Sequence, residues 1–217
     1  MGQRDAPCSE RNNMDTKTRL FVDMDGTIAR FHDNVNYLER MYEKGFFDGL
    51  LPFANAIEAI KKVHKLNPDI EIFVLSSCID GEPPNCRIEK NQWIDRYIPF
   101  IDNKHRLFPA MNTNKTDVIP DGVKSTDILY DDYNKNLHEW QSKGGISVKC
   151  KNNINHKGLN GPLWDGYIID NSKTVKEITD KLLLLSEALQ KGILQYKNNT
   201  VGHHDAPAEL TDEDMEI

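Results

Sequence analysis

Short apolar runs alternate with segments of helical periodicity along this chain. Residues 20–23, 70–75, 127–130 and 146–150 have the length and the β-branched or aromatic content of buried strands. Residues 105–108 and 164–169 are shorter or more polar candidates of the same kind. Pro52 suits a first helical position, and Phe53, Ala56, Ile57, Ile60 and Val63 then recur at helical spacing until Asn67-Pro68-Asp69 stops the pattern. Helices are also predicted over 35–43, 87–97, 133–142 and from about 174 to 194, where Thr174 and Glu177 have the spacing of a capping box. Glycines break the stretch 42–49, which carries aromatics, while 81–84, 112–115 and 152–161 read as loops. Strands separated by helices predict an α/β fold with a mostly parallel sheet.

Composition narrows this further. A chain of 217 residues fits one domain, or one domain with a small insertion. Residues 1–17 and 199–217 are polar and aperiodic, so flexible tails are expected around a domain spanning 18–198. The net charge of −7 comes without a basic stripe, which argues against a polynucleotide partner but leaves a small anionic substrate open. No apolar stretch approaches the length of a membrane span and no signal-peptide core is visible, so a cytoplasmic protein is expected. Cys8, Cys78, Cys86 and Cys150 show no metal-ligand spacing and read as free thiols of a reducing compartment. Cys78 falls beside the candidate site, where the plain reading is a bystander. The dinucleotide G-x-G-x-x-G and the phosphate loop G-x-x-x-x-G-K are both missing, which argues against NAD and ATP.

The candidate chemistry lies at strand ends. Asp23-Met24-Asp25-Gly26-Thr27 follows Leu20-Phe21-Val22 directly. Carboxyl ends of strands are where open α/β sheets carry ligands, and residues i and i+2 of an extended chain point the same way. Two acids there, then a glycine that lets the backbone turn, suit a cation and a phosphate. A second strand end carries Ser76-Ser77, a third carries Asp131-Asp132, and Lys115 sits in the loop between them. Each has a plain explanation: a turn, a helix cap, a solvated lysine, a helix N-terminus. Together they are what phosphoryl transfer from a monoester requires, namely a nucleophile, an acid, phosphate donors and carboxylates for Mg²⁺.

In order and strand context, Asp23-Met24-Asp25-Gly26-Thr27, Ser76, Lys115 and Asp131-Asp132 resemble the four motifs of the haloacid dehalogenase-like phosphatases. The resemblance covers roughly residues 19–135. It implies a Rossmann-like three-layer core with a small helical cap inserted after the first strand, at about 29–51. It also implies Asp23 as a nucleophile that becomes phosphorylated and Asp25 as the general acid and base. Ser76, Ser77 and Lys115 would bind phosphate, and Asp23, Asp25 (through its carbonyl), Asp131 and Asp132 would hold Mg²⁺. Either of the last pair could be the direct ligand.

A narrower resemblance rests on Leu129-Tyr130-Asp131-Asp132-Tyr133-Asn134-Lys135-Asn136-Leu137 with Trp140, and on Phe47-Asp48-Gly49-Leu50-Leu51-Pro52. These are similar to the cytosolic type C 5'-nucleotidases, or 5'(3')-deoxyribonucleotidases, and Asn114-Lys115 with the segment from Gly144 to Asp165 resembles the bacterial or phage members of that group. The resemblance implies a nucleoside monophosphate substrate, with Phe31, Phe46 and Phe47 of the cap offered to the base; packing of the cap on the core is the competing role for those rings. Ser76-Ser77-Cys78 departs from the Thr-Ser-Pro of animal members, which leaves base and sugar preference open. A phosphatase acting on another small monoester, such as a sugar phosphate, and a silent binding protein on the same fold are the alternatives. A homodimer is left open.

Overall fold

Alternate residues of the central strands feed two different cores, which makes the molecule three layers deep. The computed structural model describes residues 17–79, 85–152, 154–155 and 163–190. Its strands are β1 (Arg19–Val22), β2 (Glu71–Leu75), β3 (Arg106–Leu107), β4 (Ile128–Asp131), β5 (Ile146–Lys151) and β6 (Tyr167–Asp170). Leu20, Val22, Ile72, Val74, Ile128 and Tyr130 face one side, with α2 (Ala54–Leu66), α3 (Asn85–Tyr97) and α5 (Val175–Gln190) supplying the apolar residues against them. Phe21, Phe73, Leu75 and Leu129 face the other, against Leu137 and Trp140 of α4 (Asn134–Ser142) and against Trp164. Phe21 stacks on Phe73 at 4.8 Å between centroids and meets Trp140 edge-on at 5.0 Å. Burying one such ring stabilises the fold by about 1.5–3 kcal/mol.

All strand pairs are parallel, in the order β3-β2-β1-β4-β5-β6. From β1 the chain builds outward through β2 and β3, then crosses back to place β4 on the other flank of β1. That reversal leaves a crevice outside the carboxyl ends of β1 and β4, the place where doubly wound sheets bind ligands. The register sets Val22 beside Tyr130, so Asp23 emerges level with Asp131. A buried fork at the opposite edge supports it: Arg19 donates to both carboxylate oxygens of Asp127, at 2.8 and 2.5 Å, and to the carbonyls of Pro120 and Gly122.

The strand and helix expectations are met within a few residues, with two exceptions of kind. Residues 35–43 do not form a three-turn helix; only α1 (Tyr37–Arg40) is helical, and none of its residues is buried. Val35, Leu38 and Tyr42 point outward and only Tyr37 and Met41 pack on the core, too narrow an apolar face to stabilise a longer helix, and Asn36 enters α1 from the left-handed region at φ 55°. Strand β6 starts at Tyr167 rather than Trp164, because Trp164 turns back into the core and its indole N–H donates to the Tyr167 carbonyl at 3.2 Å. The predicted capping box of α5 is made reciprocally: Thr174 N–H donates to Glu177 Oε2 at 3.0 Å and Glu177 N–H to Thr174 Oγ1 at 3.3 Å. The end predicted for that helix at 194, the loop 81–84, most of the loop 152–161 and the expected tails apart from Lys17 lie outside the described residues.

The segment between β1 and α2 is pinned to α3. The Glu89 carboxylate accepts from the N–H groups of Gly45, at 2.6 Å, and Phe47, at 3.0 Å. The Trp93 indole donates to the Leu50 carbonyl at 2.8 Å, and Arg96 to the carbonyl and carboxylate of Asp48. No helix among the described residues is long and apolar enough to cross a membrane.

Candidate active site

The turn after β1 folds on itself through Met24, whose carbonyl accepts from the N–H groups of Thr27, Ile28 and Ala29. This closure needs Gly26 at φ +76°. A Cβ on Gly26 would lie 2.3 Å from Asp132 Oδ2 and 2.6 Å from the His32 ring, so the turn also needs the absence of a side chain. The two acids of the pentapeptide then part company. Asp23 points into the buried crevice, while Asp25 faces α3.

Lys115, at the start of a short 3₁₀ turn (Lys115–Val118), fills the space between the first and fourth strand ends. Its Nζ donates to Asp23 Oδ1 and to Asp131 Oδ2, both at 2.6 Å. All three residues are buried. The Thr27 hydroxyl donates to the other Asp23 oxygen at 3.3 Å. Asp131 is fixed further by the Tyr133 N–H at 2.8 Å and the Asn136 amide at 3.0 Å. Asp132 takes the Asn152 amide at 3.1 Å and the Asn155 amide at 3.4 Å, while its carbonyl accepts from Lys149 Nζ. Asn152 also donates to the Gly26 carbonyl at 2.8 Å, tying the loop after β5 to the turn after β1.

Lys115 and Lys149 compensate these carboxylates only in part. Burial pushes Asp23 from the ordinary 3.8 up to about 7; Lys115 opposes the shift, and the charges of Asp131 and Asp25 add to it. Burial, helped by Asp131 and Asp23, pushes Asp132 well above the carboxylate range. For Lys115, burial works against the ammonium, yet Asp131 and Asp23 hold it protonated well beyond the usual lysine range. Asp23, Asp131 and Asp132 each offer an oxygen within 4.8 Å of the others. Three buried hard-oxygen donors, two of them driven toward neutrality, suit a divalent cation, which would restore the ionised forms.

The second strand end joins through a residue the sequence reading missed. Lys90, on α3 and wholly buried, donates from Nζ to Asp25 Oδ2 at 2.5 Å, Ser76 Oγ at 2.9 Å and the Ser77 carbonyl at 2.6 Å. Burial opposes its charge, but the Asp25 carboxylate keeps it protonated above the ordinary value. The signal lay in the helical period: Cys86, Glu89, Lys90, Trp93 and Ile94 form the buried face of α3, and two of these five are charged. Charged residues on an otherwise inward stripe are buried only with partners. Lys149, Asn152 and Asn155 were missed too; a lysine inside β5 and the polar run after that strand were their only traces.

Thus Asp23, Asp131, Asp132 and Lys115 converge in one crevice, and Asp25 and Ser76 form its second edge. Ser77 contributes its carbonyl there. Phe31, Phe46 and Phe47 do not stand open to it. They are 8%, 5% and 2% exposed and pack edge-on or stacked on one another, at 5.2–6.2 Å between centroids. Phe31 also meets His32 and Tyr37. Phe47 touches the crevice indirectly, with Lys90 Nζ 4.8 Å from its ring centroid. Packing on the core therefore accounts for these rings in the structure.

The sequence model of the family described as "5' nucleotidase, deoxy (Pyrimidine), cytosolic type C protein" matches residues 32–165. The chain belongs to this family. The match takes in Ser76, Lys90, Lys115, Asp131 and Asp132 and starts beyond Asp23 and Asp25, whose place in the site rests on the geometry above. Two curated proteins from strains of Staphylococcus epidermidis, each named "Putative 5'(3')-deoxyribonucleotidase", are 27% and 25% identical over 118 and 120 residues. The aligned stretches cover 54% and 55% of this chain, and the chain spans 58% and 59% of the length of those relatives. Among solved structures, a D,D-heptose 1,7-bisphosphate phosphatase from Burkholderia thailandensis aligns with a TM-score of 0.48 at 12% identity, covering 77% of this chain and 99% of that one. A chain of the Pnkp1/Rnl/Hen1 RNA repair complex aligns with a TM-score of 0.45 at 16% identity, covering 68% and 46%. Likenesses this distant say nothing of this chain's substrate.

Proposed function

We propose that the chain is a Mg²⁺-dependent 5'-nucleotidase that hydrolyses nucleoside monophosphates through a phosphorylated Asp23. The observation that carries this reading is Lys115 held between Asp23 and Asp131 at the carboxyl edge of the sheet, with Asp132 completing a carboxylate triad. Family membership points to the same substrate class. Asp23, Asp131, Asp132 and the Asp25 carbonyl would hold Mg²⁺, which when bound offsets the charge of the phosphate against the attacking carboxylate.

This chain's own residues do the rest. An Asp23 oxygen attacks phosphorus as the bond to the nucleoside oxygen breaks, and Asp25 delivers a proton to that leaving oxygen. Asp25 then takes a proton from the water that cleaves the acyl phosphate, which returns Asp23. Asp25 Oδ1 is buried without a hydrogen-bond partner among the described residues, as expected of an oxygen kept for a transient proton. Lys115, Lys90 and the Ser76 hydroxyl would steady the phosphate oxygens, and the loose transition state makes such positioning the main source of rate.

A second reading keeps the chemistry and changes the leaving group. Phe31, Phe46 and Phe47 spend their faces on one another, which favours a small phosphate ester that needs no stacked base. Phosphate release should be measured from deoxy- and ribonucleoside monophosphates, a sugar phosphate and p-nitrophenyl phosphate, with Mg²⁺ and with EDTA. Nucleotide turnover that is lost in EDTA and in Asp23→Asn is expected. Turnover of the sugar phosphate alone selects the second reading, and full activity in Asp23→Asn overturns both.

A further inference from the structure

Cys78 and Cys86 stand with their sulfurs 2.9 Å apart, both as free thiols and each 4% exposed. Cys78 follows the Ser76-Ser77 pair and is anchored by its N–H to the Pro109 carbonyl at 2.8 Å. Cys86 lies in the first turn of α3, four residues before Lys90 and therefore on the same face of that helix. Neither thiol has a part in the phosphoryl transfer described above.

We propose that Cys78 and Cys86 are an oxidation site, a thiol pair that peroxide closes reversibly to a disulfide and that thereby loosens the grip of Lys90 on Ser76 and Ser77. The geometry needs little motion: a disulfide bond is about 2.05 Å long, so the sulfurs approach by less than ~1 Å. The electrostatics favour Cys78 as the attacking sulfur. Its thiol is held below the ordinary value chiefly by the hydrogen bond from Cys86, with Lys90 assisting against burial, while Cys86 is pushed up by donating that bond and by burial. The Cys78 thiolate attacks one peroxide oxygen, the O–O bond breaks, and the departing hydroxide takes up a proton to become water. Cys86 sulfur then attacks the resulting sulfenic sulfur; the S–O bond breaks and the leaving hydroxide removes the Cys86 proton. Two thiols lose two electrons and one peroxide becomes two waters.

Burial selects the oxidant. At 4% exposure the thiols favour an oxidant as small as hydrogen peroxide over a bulky disulfide such as oxidised glutathione. Dithiol-reversible pairs of this kind are the usual form of disulfide in reducing compartments. Shortening the contact pulls the first turn of α3 toward Cys78, and Lys90 moves with the helix that bears it.

The full chain should be treated with hydrogen peroxide, denatured, alkylated and weighed intact. Two of its four thiols should be lost together, with a Cys78–Cys86 crosslink in the peptide map, and dithiothreitol should restore both. In Cys86→Ser, whose hydroxyl keeps a donor beside Cys78, the reaction should stop at a Cys78 sulfenic acid that dimedone traps, and in Cys86→Ala, which removes that donor, the same acid should form more slowly. The crosslink is read without any substrate, so it stands or falls separately from the phosphatase reading. Irreversible acids at Cys78 with no crosslink, or glutathione adducts in place of it, overturn the pair as a disulfide site. Phosphatase activity should fall about 10- to 100-fold on closure, since a 1 Å misplacement near a reacting centre costs up to about 10²-fold. The Cys86 variants should keep their basal rate and lose that sensitivity. A crosslinked protein of unchanged activity overturns the coupling through Lys90 to Ser76 and Ser77.

Discussion

Lys90 Nζ lies 2.5 Å from Asp25 Oδ2 and 2.9 Å from Ser76 Oγ, so one buried ammonium joins the side chains that follow the paired ends of β1 and β2. Replacing it with methionine keeps most of the volume and removes every one of those bonds. Lys90→Met should lower kcat/KM about 100-fold, the scale of losing one aligned donor at a site of developing charge. Thermal unfolding of the variant separates this from collapse of the fold. A folded Lys90→Met of undiminished activity would make the residue a strut only.

Gly26 faces a harder constraint. A side chain there meets Asp132 Oδ2 at 2.3 Å, and the backbone sits at φ +76°. Gly26→Ala must therefore shift Asp132 or open the turn that presents Asp23 and Asp25, at about 1–3 kcal/mol of strain. Weaker stabilisation by Mg²⁺ in a thermal-shift titration, with activity reduced at least tenfold, is the expected outcome. An unchanged Mg²⁺ midpoint would remove Asp132 from the metal set.

Glu89 holds the segment that carries the aromatic cluster, through the N–H groups of Gly45 and Phe47. Glu89→Ala leaves both without that acceptor, which costs about 1–3 kcal/mol where the group stays buried. If this segment shapes the pocket for the leaving group, KM for nucleotides should rise while p-nitrophenyl phosphate is turned over almost as before. Equal losses on both substrates would show that Glu89 acts on the core alone. Phe46→Leu and Phe47→Leu make the companion test, since alanine at 5% or 2% exposure would empty the core.

Much of this was legible in the residues, for reasons that differ by element. Strands β1, β2 and β4 are buried on both faces, so Leu20-Phe21-Val22 and its counterparts are apolar without interruption and stand out. Asp23, Lys115 and Asp131 could be grouped because parallel strands bring their carboxyl ends to one edge. Lys90 was hidden because its partners, Asp25 and Ser76, are 65 and 14 residues away and no local pattern links them. The segment 35–43 misled because helical spacing was present while only Tyr37 and Met41 found a surface to pack on: Val35 is 79% and Leu38 50% exposed. The aromatics of the segment between β1 and α2 were visible as residues but not as a cluster, since mutual packing is a tertiary fact.

Asp23 gives a test that needs no substrate. Its pKa is raised, mainly by burial, from 3.8 to about 7. Between roughly pH 4 and 7 the folded chain therefore keeps a proton that the unfolded chain has already released. Stability of the metal-free protein at this site is complete below the unfolded value and declines as pH rises through that window. Asp132 shifts in the same direction and deepens the decline. Asp23→Asn has no proton to lose, so its stability relative to wild type should grow from pH 4 to pH 8 in denaturant melts run in EDTA. Mg²⁺ favours the ionised carboxylates and should shrink that advantage at pH 8, where the wild type gains a partner for Asp23 and the variant does not. A difference between the two proteins that stays constant with pH would mean that Lys115 compensates Asp23 fully and that the crevice is not short of positive charge.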